Sequence, residues 1–226
     1  MNPFRPDCED DDVTRRLPLV ARLGLTAAAL ALAATGCGGG SSTPSAESSP
    51  ALHGAVPTSH PPRPSFTLVD TDGKPYDFGA RTRNRVTMLY FGYTHCPDEC
   101  PTSMADVAAA LRRVPPEIAE QVTVVFVTTD PWRDSKPVLR KWLDRFSPTF
   151  VGLTGSPTQI AGAEVRMGMP ISRRVPEKKS KGAGRYSVDH FAAVMAYGRD
   201  NRVATLYPSG VTPGEIAADL PVLVKG

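Results

Sequence analysis

The sequence has few cysteines, little net charge and no long apolar run. Its 226 residues include four cysteines, and 26 Lys and Arg side chains face 23 Asp and Glu. The resulting net charge of +3 gives no basis for nucleic-acid binding. The uncharged stretch 23–34 is too short to span a bilayer, since a spanning helix needs about 20 residues. An apolar fraction of 41% indicates a globular protein with one domain of ordinary size.

Residues 1–36 resemble a bacterial lipoprotein signal peptide. The short stretch 23–34 follows Arg15, Arg16 and Arg22 and has the length of the apolar core of a secretory signal. The stretch leads into Ala34-Thr35-Gly36-Cys37, which is similar to the lipobox, where cleavage occurs before a lipid-modified cysteine. We therefore predict an exported protein, lipid-anchored through Cys37 at the extracytoplasmic face of the cell membrane. A free Cys37 in a secreted protein is the alternative.

Residues 37–62 predict a tether behind the lipidated cysteine. The segment from Gly38 to about Pro62 consists largely of Gly, Ser, Pro, Thr and Ala, with no apolar period. We expect it to be flexible, with solvated His53 and His60 side chains. The folded domain is then predicted to cover residues 63–226.

The first half of that domain predicts a hairpin followed by a βαβ unit. Asp72-Gly73 lies between two apolar runs, as in a β-hairpin. Residues 86–92 and 122–127 are nearly continuous apolar runs, as expected of strands that are covered on both faces. The intervening segment has apolar residues at helical spacing, from Met104 to Leu111.

The second half predicts alternating helices and strands. Ser156 and Thr212 each precede a proline and, three residues on, a Gln or Glu, which is the capping-box signature of a helix start. The other predicted elements are a helix at about 136–146, a strand at 150–153, an exposed basic loop at 172–185 and a hairpin formed by 192–197 and 203–207. This order predicts a thioredoxin-like α/β fold, with a central mixed sheet flanked by helices and an added N-terminal β-hairpin.

Cys96 and Cys100 stand directly after a buried strand and directly before a helical pattern. Residues four apart share a helix face, with Cβ atoms about 5–6 Å apart. If the first helical turn begins at this motif, both sulfurs lie at the positive end of the helix dipole, where thiols ionise more readily. Two such thiolates can bind one soft metal ion or close into a redox-active disulfide, and the spacing leaves both possibilities open.

Two further side chains are candidates for the same edge of the sheet. His190 immediately precedes an apolar strand and can reach the cysteines as a ligand; a partly buried strand-end histidine is the alternative. Asp130 ends the second buried strand, and we expect it either to orient a ligand or partner or to cap the next helix. His95 is expected to point away from the metal, and Met167 and Met169 are expected to pack in the core.

The cysteine motif, Gly92-Tyr93-Thr94-His95-Cys96-Pro97-Asp98-Glu99-Cys100-Pro101-Thr102-Ser103, resembles the signature of the Sco/SenC family. The resemblance runs through most of the chain from Arg63 to the C-terminus. Further similar segments are Phe66-Thr67-Leu68, Asp72-Gly73-Lys74-Pro75, Thr129-Asp130-Pro131, Arg133-Asp134, Leu153-Thr154-Gly155-Ser156-Pro157, Gln159-Ile160 and Asp189-His190. Together these segments make the resemblance specific, whereas a single CxxxC motif would not.

The resemblance implies an extracytoplasmic copper-binding protein that helps to build the CuA centre of cytochrome c oxidase. Family members hold copper with two cysteines and one histidine, which correspond here to Cys96, Cys100 and His190. Thiolates select Cu(I) and imidazole accommodates Cu(II), so this set can hold either oxidation state. We expect a membrane-anchored metallochaperone without enzymatic turnover. Its expected partners are the CuA-bearing oxidase subunit and a thioredoxin-like reductase that keeps the cysteines reduced.

A thiol–disulfide oxidoreductase that reduces the client's copper-ligand cysteines is the alternative. Dedicated thioredoxin-like reductases use CxxC and place a cis-proline before the last hairpin. This chain has CxxxC, no proline in residues 177–207, and Asp189-His190 in the corresponding place, which favours metal binding. Phe191 and Trp132 depart from the family pattern near the same edge.

Overall fold

The strands of this computed structural model form a seven-stranded sheet and a two-stranded sheet. The structure describes residues 51–176 and 186–226. The strands are β1 (Thr67–Asp70), β2 (Pro75–Asp77), β3 (Val86–Gly92), β4 (Val122–Thr128), β5 (Val151–Thr154), β6 (Arg173–Pro176), β7 (Tyr186–Asp189), β8 (Ala193–Tyr197) and β9 (Val203–Pro208). The helices are α1 (Phe78–Arg81), α2 (Glu99–Leu111), α3 (Pro116–Ala119), α4 (Lys136–Leu143), α5 (Pro157–Arg166) and α6 (Pro213–Lys225).

The large sheet has the strand order β2-β1-β5-β4-β3-β8-β9. Its centre is parallel, because β4 pairs in parallel with both β3 and β5. The outer pairs are antiparallel: β1 pairs with β2 and β5, and β8 pairs with β3 and β9. The predicted mixed sheet with an added N-terminal hairpin is therefore confirmed.

Strand β3 shows why its sequence is apolar at every position. Met88 and Tyr90 belong to the core on one face of the sheet, with side chains of α2, α4 and α6. Leu89 and Phe91 belong to the core on the other face, with side chains of α5. Both faces of the strand are buried, so the run has no polar alternation.

The helix starts that the sequence predicts are also confirmed. The Ser156 hydroxyl accepts the Gln159 N–H at 3.2 Å, and the Gln159 side chain accepts the Ser156 N–H at 2.9 Å. Thr212 and Glu215 form the same reciprocal pair at the start of α6. These caps satisfy N–H groups that have no partner within the helix.

Residues 51–62, which we call the N-terminal strap, are bound to the folded domain. The prediction of a flexible tether up to residue 62 is therefore wrong for this segment. Ala55 pairs with Leu206 of β9 through two backbone hydrogen bonds of 2.8 and 2.9 Å. The His53 N–H and ring both bond the carboxylate of Asp219 in α6. His60 Nδ1 lies 2.7 Å from the Val203 carbonyl oxygen, so neither histidine is the freely solvated side chain that we expected. These partners lie up to 166 residues away, so the Pro- and Ser-rich composition of the strap gives no periodic signal.

The prediction of a continuous basic loop at 172–185 is wrong at its N-terminal end, where Arg173–Pro176 is a strand, and a partner strand begins directly after it at Tyr186. Arg173–Pro176 pairs antiparallel with Tyr186–Asp189, and these strands β6 and β7 form the two-stranded sheet. All four residues of β6 are exposed, so no apolar alternation predicts the strand. The four paired positions of the ladder join the two ends, and an exposed contact of 4.0 Å between Arg173 and Asp189 adds to them.

The predicted signal peptide, the lipidated Cys37, the tether up to residue 50 and the loop at 177–185 lie outside the described residues. Within the two described stretches, no helix combines the length and apolar character that crossing a bilayer requires.

Candidate metal centre

The two cysteines and His190 come together at one edge of the large sheet. Strand β3 ends at Gly92, and the following turn carries Cys96 into the start of α2. His190 lies between β7 and β8, and β8 is the antiparallel neighbour of β3. Adjacent strands thus deliver residues 90 positions apart to the same place. The sequence-based expectation that they share an edge is confirmed.

Three donor atoms are close enough to surround one ion. The Cys100 sulfur lies 3.5 Å from His190 Nε2. The ligand atoms of Cys96, Cys100 and His190 all lie within 4.8 Å of one another, and both cysteines are free thiols. Metal–sulfur and metal–nitrogen distances are about 2.3 and 2.0 Å, so donors on opposite sides of one ion are roughly 4.6 Å apart. The spacing therefore suits a single metal ion.

The four-residue spacing predicted that the two cysteines share a helix face, and this prediction is wrong. Helix α2 begins at Glu99, so Cys96 lies in the turn before it and Cys100 lies in its first turn. The Cys100 N–H points at the Cys96 sulfur, 3.4 Å away, whereas the Asp98 side chain makes no capping bond. The Cys96 sulfur thus accepts from a free N–H at the helix start, where negative charge is stabilised.

The two thiols have opposite electrostatic character. The Cys100 thiol lowers the pKa of Cys96 by hydrogen bonding to its sulfur, and His190 and nearby backbone N–H groups act in the same direction. Proximity to Cys96 and burial raise the pKa of Cys100, which is 0% exposed. The metal-free pair therefore favours a thiolate at the partly exposed Cys96 and a neutral thiol at Cys100. A metal ion must displace the remaining proton to bind both sulfurs.

Gly92 lets the Cys100 sulfur approach the end of β3. A Cβ at this position would lie 2.7 Å from the Cys100 sulfur and 2.7 Å from the Tyr90 ring, which is closer than real Cβ atoms come to other atoms. The Tyr93 N–H also points at the Cys100 sulfur, at 3.5 Å. Position 92 therefore needs glycine, because any side chain there would collide with Cys100 and Tyr90.

The orientation of His190 leaves one ring nitrogen available. Its Nδ1 lies 3.3 Å from the Phe191 carbonyl oxygen, which can only accept a hydrogen bond. A proton on Nδ1 leaves the Nε2 lone pair directed toward the cysteines. The rings of Tyr90 and Tyr93 pack edge-on against the imidazole, with centroids 5.9 and 5.7 Å away.

Asp130 is buried and makes no hydrogen bond to the three donors within the described part of the chain. Its carboxylate accepts from Arg133 and, at 2.8 Å, from the Tyr186 hydroxyl. Arg133 also donates to the Tyr186 carbonyl oxygen at 3.1 Å, so this group holds the start of β7, the strand that leads to His190. The capping alternative is wrong, because Ser135 is the N-cap of α4.

Asp134 is a residue that the sequence analysis missed. This fully buried carboxylate accepts from the Thr94 N–H and hydroxyl at 2.9 and 2.6 Å, and from the Thr128 hydroxyl at 2.7 Å. It therefore connects the cysteine turn to the end of β4. Its only signal is its place in the family-like segment Arg133-Asp134, which does not distinguish it from Asp130.

The other expectations near the site agree with the structure. The exposed His95 ring lies beside Thr94 and Asp134 and is not part of the donor group. Met169 is buried in the core on the other face of the sheet, and Met167 packs against that core.

Comparisons with known proteins agree with this geometry. The chain is 33% identical over 158 residues to a Stutzerimonas stutzeri protein named for copper binding, and the match covers 70% of each chain. It is 34% identical to Bradyrhizobium japonicum ScoI, whose solved structure has copper bound; the TM-score is 0.62, over 71% of this chain and 98% of ScoI.

A third comparison shows the fold alone. BsSco is described as a member of the Sco family of cytochrome c oxidase assembly proteins and is 20% identical, with a TM-score of 0.57 over 76% of this chain and 97% of BsSco.

The SCO1/SenC family model matches residues 57–225, which are three quarters of the sequence and include all three donors of the metal centre. The chain therefore belongs to the SCO1/SenC family.

Proposed function

We propose that this protein is an exported, membrane-anchored copper metallochaperone that delivers copper to the CuA site of cytochrome c oxidase. The observation that carries the proposal is the group of two sulfurs and one imidazole nitrogen within 4.8 Å. Such a donor set suits Cu(I) through its thiolates and Cu(II) through its imidazole. The copper bound to ScoI, 34% identical to this chain, supports the choice of metal.

Delivery requires that the bound ion can be reached and released. Cys96 is partly exposed, whereas Cys100 is buried, so an incoming ligand meets the Cys96 sulfur first. Three donors leave a position around the ion that a client cysteine or histidine can occupy. Exchange of ligands then moves copper without any net redox change, provided that a thioredoxin-like reductase has kept both cysteines reduced.

The anchor part of the proposal rests on the sequence of residues 1–37. Lipidation at Cys37 would hold the protein on the extracytoplasmic face of the cell membrane, where a membrane-bound oxidase presents its CuA subunit. Only 13 residues lie between Cys37 and Ala51, where the strap begins. Even fully extended, they reach roughly 50 Å, so the domain stays near the membrane. Asp130, through Arg133 and Tyr186, would keep His190 in place.

Copper titration of the reduced, metal-free chain tests the site. Cys96→Ala, Cys100→Ala and His190→Ala each remove one donor, and we expect each to lower copper affinity by roughly 100-fold or more. His95→Ala is the matched control, because His95 adjoins the motif but lies outside the donor group. It should retain affinity within about threefold, and one copper should bind per wild-type chain.

The alternative function, a thiol–disulfide oxidoreductase acting on the client's cysteines, is favoured by one observation. The lowered pKa of the partly exposed Cys96 is typical of an attacking thiolate. If His190→Ala kept full copper affinity and the chain reduced a client disulfide rapidly, the metallochaperone proposal would be wrong and this function would replace it.

A further inference from the structure

A groove of about 620 Å³ lies beside the metal centre and has no part in holding the donors. Its lining includes Thr129, Trp132, Ile160, Ile171, Arg174 and Val188. Thr129 donates its N–H to the Gly92 carbonyl oxygen at 2.7 Å, directly before the cysteine motif. Val188 lies two residues before His190. The groove, called here the Trp132 groove, thus adjoins both halves of the metal centre.

Trp132 and Ile171 give the groove an exposed apolar wall. Trp132 is 53% exposed and Ile171 is 50% exposed, whereas the other tryptophan, Trp142, is buried at 6%. The Arg174 guanidinium lies 4.0 Å above the Trp132 ring, which holds the indole in one orientation. A rigid, exposed aromatic next to an arginine is typical of an anchor in a protein interface.

Among the described residues that line the groove, the charged side chains open to solvent are Arg173 and Arg174. The Arg173 side chain is 79% exposed and meets Asp189 only at 4.0 Å, while Arg174 packs over the indole. The acid in the lining, Glu164, is 2% exposed, and Ser172 donates both its N–H and its hydroxyl to that carboxylate. It therefore offers no free negative charge.

We propose that the Trp132 groove is the docking site for the copper-accepting protein. The occupant is a protein segment that inserts an apolar side chain beside Trp132 and Ile171 and places carboxylates against Arg173 and Arg174. This inference rests on the proposed function and adds the surface that holds the client while copper passes. The chemistry follows from the apolar wall and the basic border, which complement an apolar residue flanked by acids.

The shape of the groove favours a protein segment over a lipid surface. The side chains of a short protein segment can enter a recess of this volume, which falls in the range typical of binding pockets. A bilayer surface could touch the outer edge of Trp132 and the arginines but could not reach Ile160 or Val188 within the recess. Docking at this site would also bring the client within reach of Cys96.

The test measures binding of the full chain, reduced and free of metal, to the copper-free soluble domain of the oxidase CuA subunit from the same organism. Isothermal titration calorimetry compares the wild type with Trp132→Ser and with the double variant Arg173→Glu/Arg174→Glu. We expect each variant to raise Kd about tenfold or more. The control Arg83→Glu/Arg112→Glu makes the same charge change at two exposed arginines away from the groove and should change Kd less than about twofold.

Copper titration of the same variants separates this inference from the proposed function. The Trp132 and arginine variants should bind copper like the wild type, which also shows that they are folded. If the wild type does not bind the domain at about 1 mM concentration, or if both groove variants bind it like the wild type, the docking site is wrong while the copper site stands. Failure of the wild type to bind copper would instead overturn the proposed function.

A vesicle experiment distinguishes the lipid alternative. Acrylamide quenching reports mainly on Trp132, because Trp142 is buried. We expect the CuA domain, and not phosphatidylglycerol vesicles, to protect Trp132 from the quencher. Protection by vesicles without protection by the domain would assign the surface to the membrane and overturn the proposal.

Discussion

The metal centre and the N-terminal strap each depend on one histidine, and the two rings have different partners. In the strap, His53 Nδ1 lies 2.6 Å from a carboxylate oxygen of Asp219. In the metal centre, His190 Nδ1 faces a neutral backbone carbonyl and Nε2 faces a thiol at 3.5 Å. Asp219 raises the pKa of His53 and so favours its charged form, which is a poor metal ligand.

This comparison shows that the partner of a histidine, and not its exposure, separates a structural role from a binding role. Asp219 is 1% exposed and is satisfied by the His53 N–H, the His53 ring and the Tyr207 hydroxyl. The strap thus completes the hydrogen bonds of a buried carboxylate. The donor group of the metal centre contains no carboxylate, so its ring nitrogen remains free to bind.

The largest effect on stability is expected when the support of the metal centre is removed. Asp134→Ala deletes the acceptor of three hydrogen bonds and leaves buried donors without partners. The free energy of unfolding should fall by about 3 kcal/mol, and copper affinity should fall about tenfold or more because the turn carrying Cys96 loses its fixed position. Urea unfolding and copper titration measure the two effects.

The control for this variant is Asp98→Ala, since Asp98 is an exposed acid in the same turn whose side chain does not cap α2. It should change both quantities little. Unaltered copper affinity in Asp134→Ala would show that the donors are held in place without this carboxylate.

A smaller effect, confined to stability, is expected in the strap. A Cβ at Gly54 would collide with the Thr205 hydroxyl and lie 2.7 Å from the Leu206 carbonyl oxygen. Gly54→Ala should therefore cost about 2 kcal/mol, speed hydrogen exchange at the Ala55 and Leu206 amides, and leave copper affinity unchanged. Urea unfolding, hydrogen exchange and copper titration are the measurements.

The matched control is Gly162→Ala in α5, where nothing lies within 4 Å of an added Cβ. Because alanine favours helix, this variant should be neutral or more stable by about 0.5–1 kcal/mol. Equal stability of the two glycine variants would mean that the strap does not need the close approach at Gly54.

The smallest expected effect is a pH dependence specific to the strap. The hydrogen bond to Asp219 raises the pKa of His53 above its ordinary value of 6.5, and Glu215 adds a weaker attraction. A group whose folded-state pKa is raised stabilises the fold fully below its unfolded pKa, and this contribution disappears as the pH rises through the folded pKa. The wild type should therefore exceed His53→Gln in stability at about pH 5.5, and the difference should shrink toward about pH 9.

Urea unfolding across this range provides the test, and the same comparison in an Asp219→Asn background provides the control. Without the carboxylate, the pH-dependent part of the stability change caused by His53→Gln should vanish. A stability difference that grows with pH when Asp219 is present would contradict the assigned charge of the pair.

Local signals in the sequence predicted the parts of the fold that depend on local chemistry. The apolar runs of β3 and β4 and the capping boxes at Ser156 and Thr212 are confirmed where they were expected. The CxxxC motif pointed to the two sulfurs by its position after a buried strand, whereas His190 was assigned through the family resemblance, because a strand-end histidine fitted its local sequence as well. The sequence placed the start of α2 too early, at the cysteine motif, whereas the helix begins at Glu99. The usual capping signal is missing there, because the Cys96 sulfur and not a side-chain oxygen accepts the Cys100 N–H.

The parts that sequence analysis missed are contacts between distant and aperiodic segments. The strap and the β6–β7 pair bind through backbone pairing and through single side chains with distant partners, and neither leaves a periodic residue pattern. Asp134 and Asp130 are both acids after β4, and only the folded chain shows that Asp134 holds the cysteine turn while Asp130 holds Arg133 and Tyr186.

The sequence by itself determined which atoms can bind metal and which strands are buried on both faces, because donor chemistry and apolar periodicity belong to the residues themselves. Tertiary structure decided which histidine has a free ring nitrogen, which aspartate supports the site and where the chain stops being a tether. Those properties depend on the neighbours that each side chain acquires, and the neighbours come from segments up to 166 residues away.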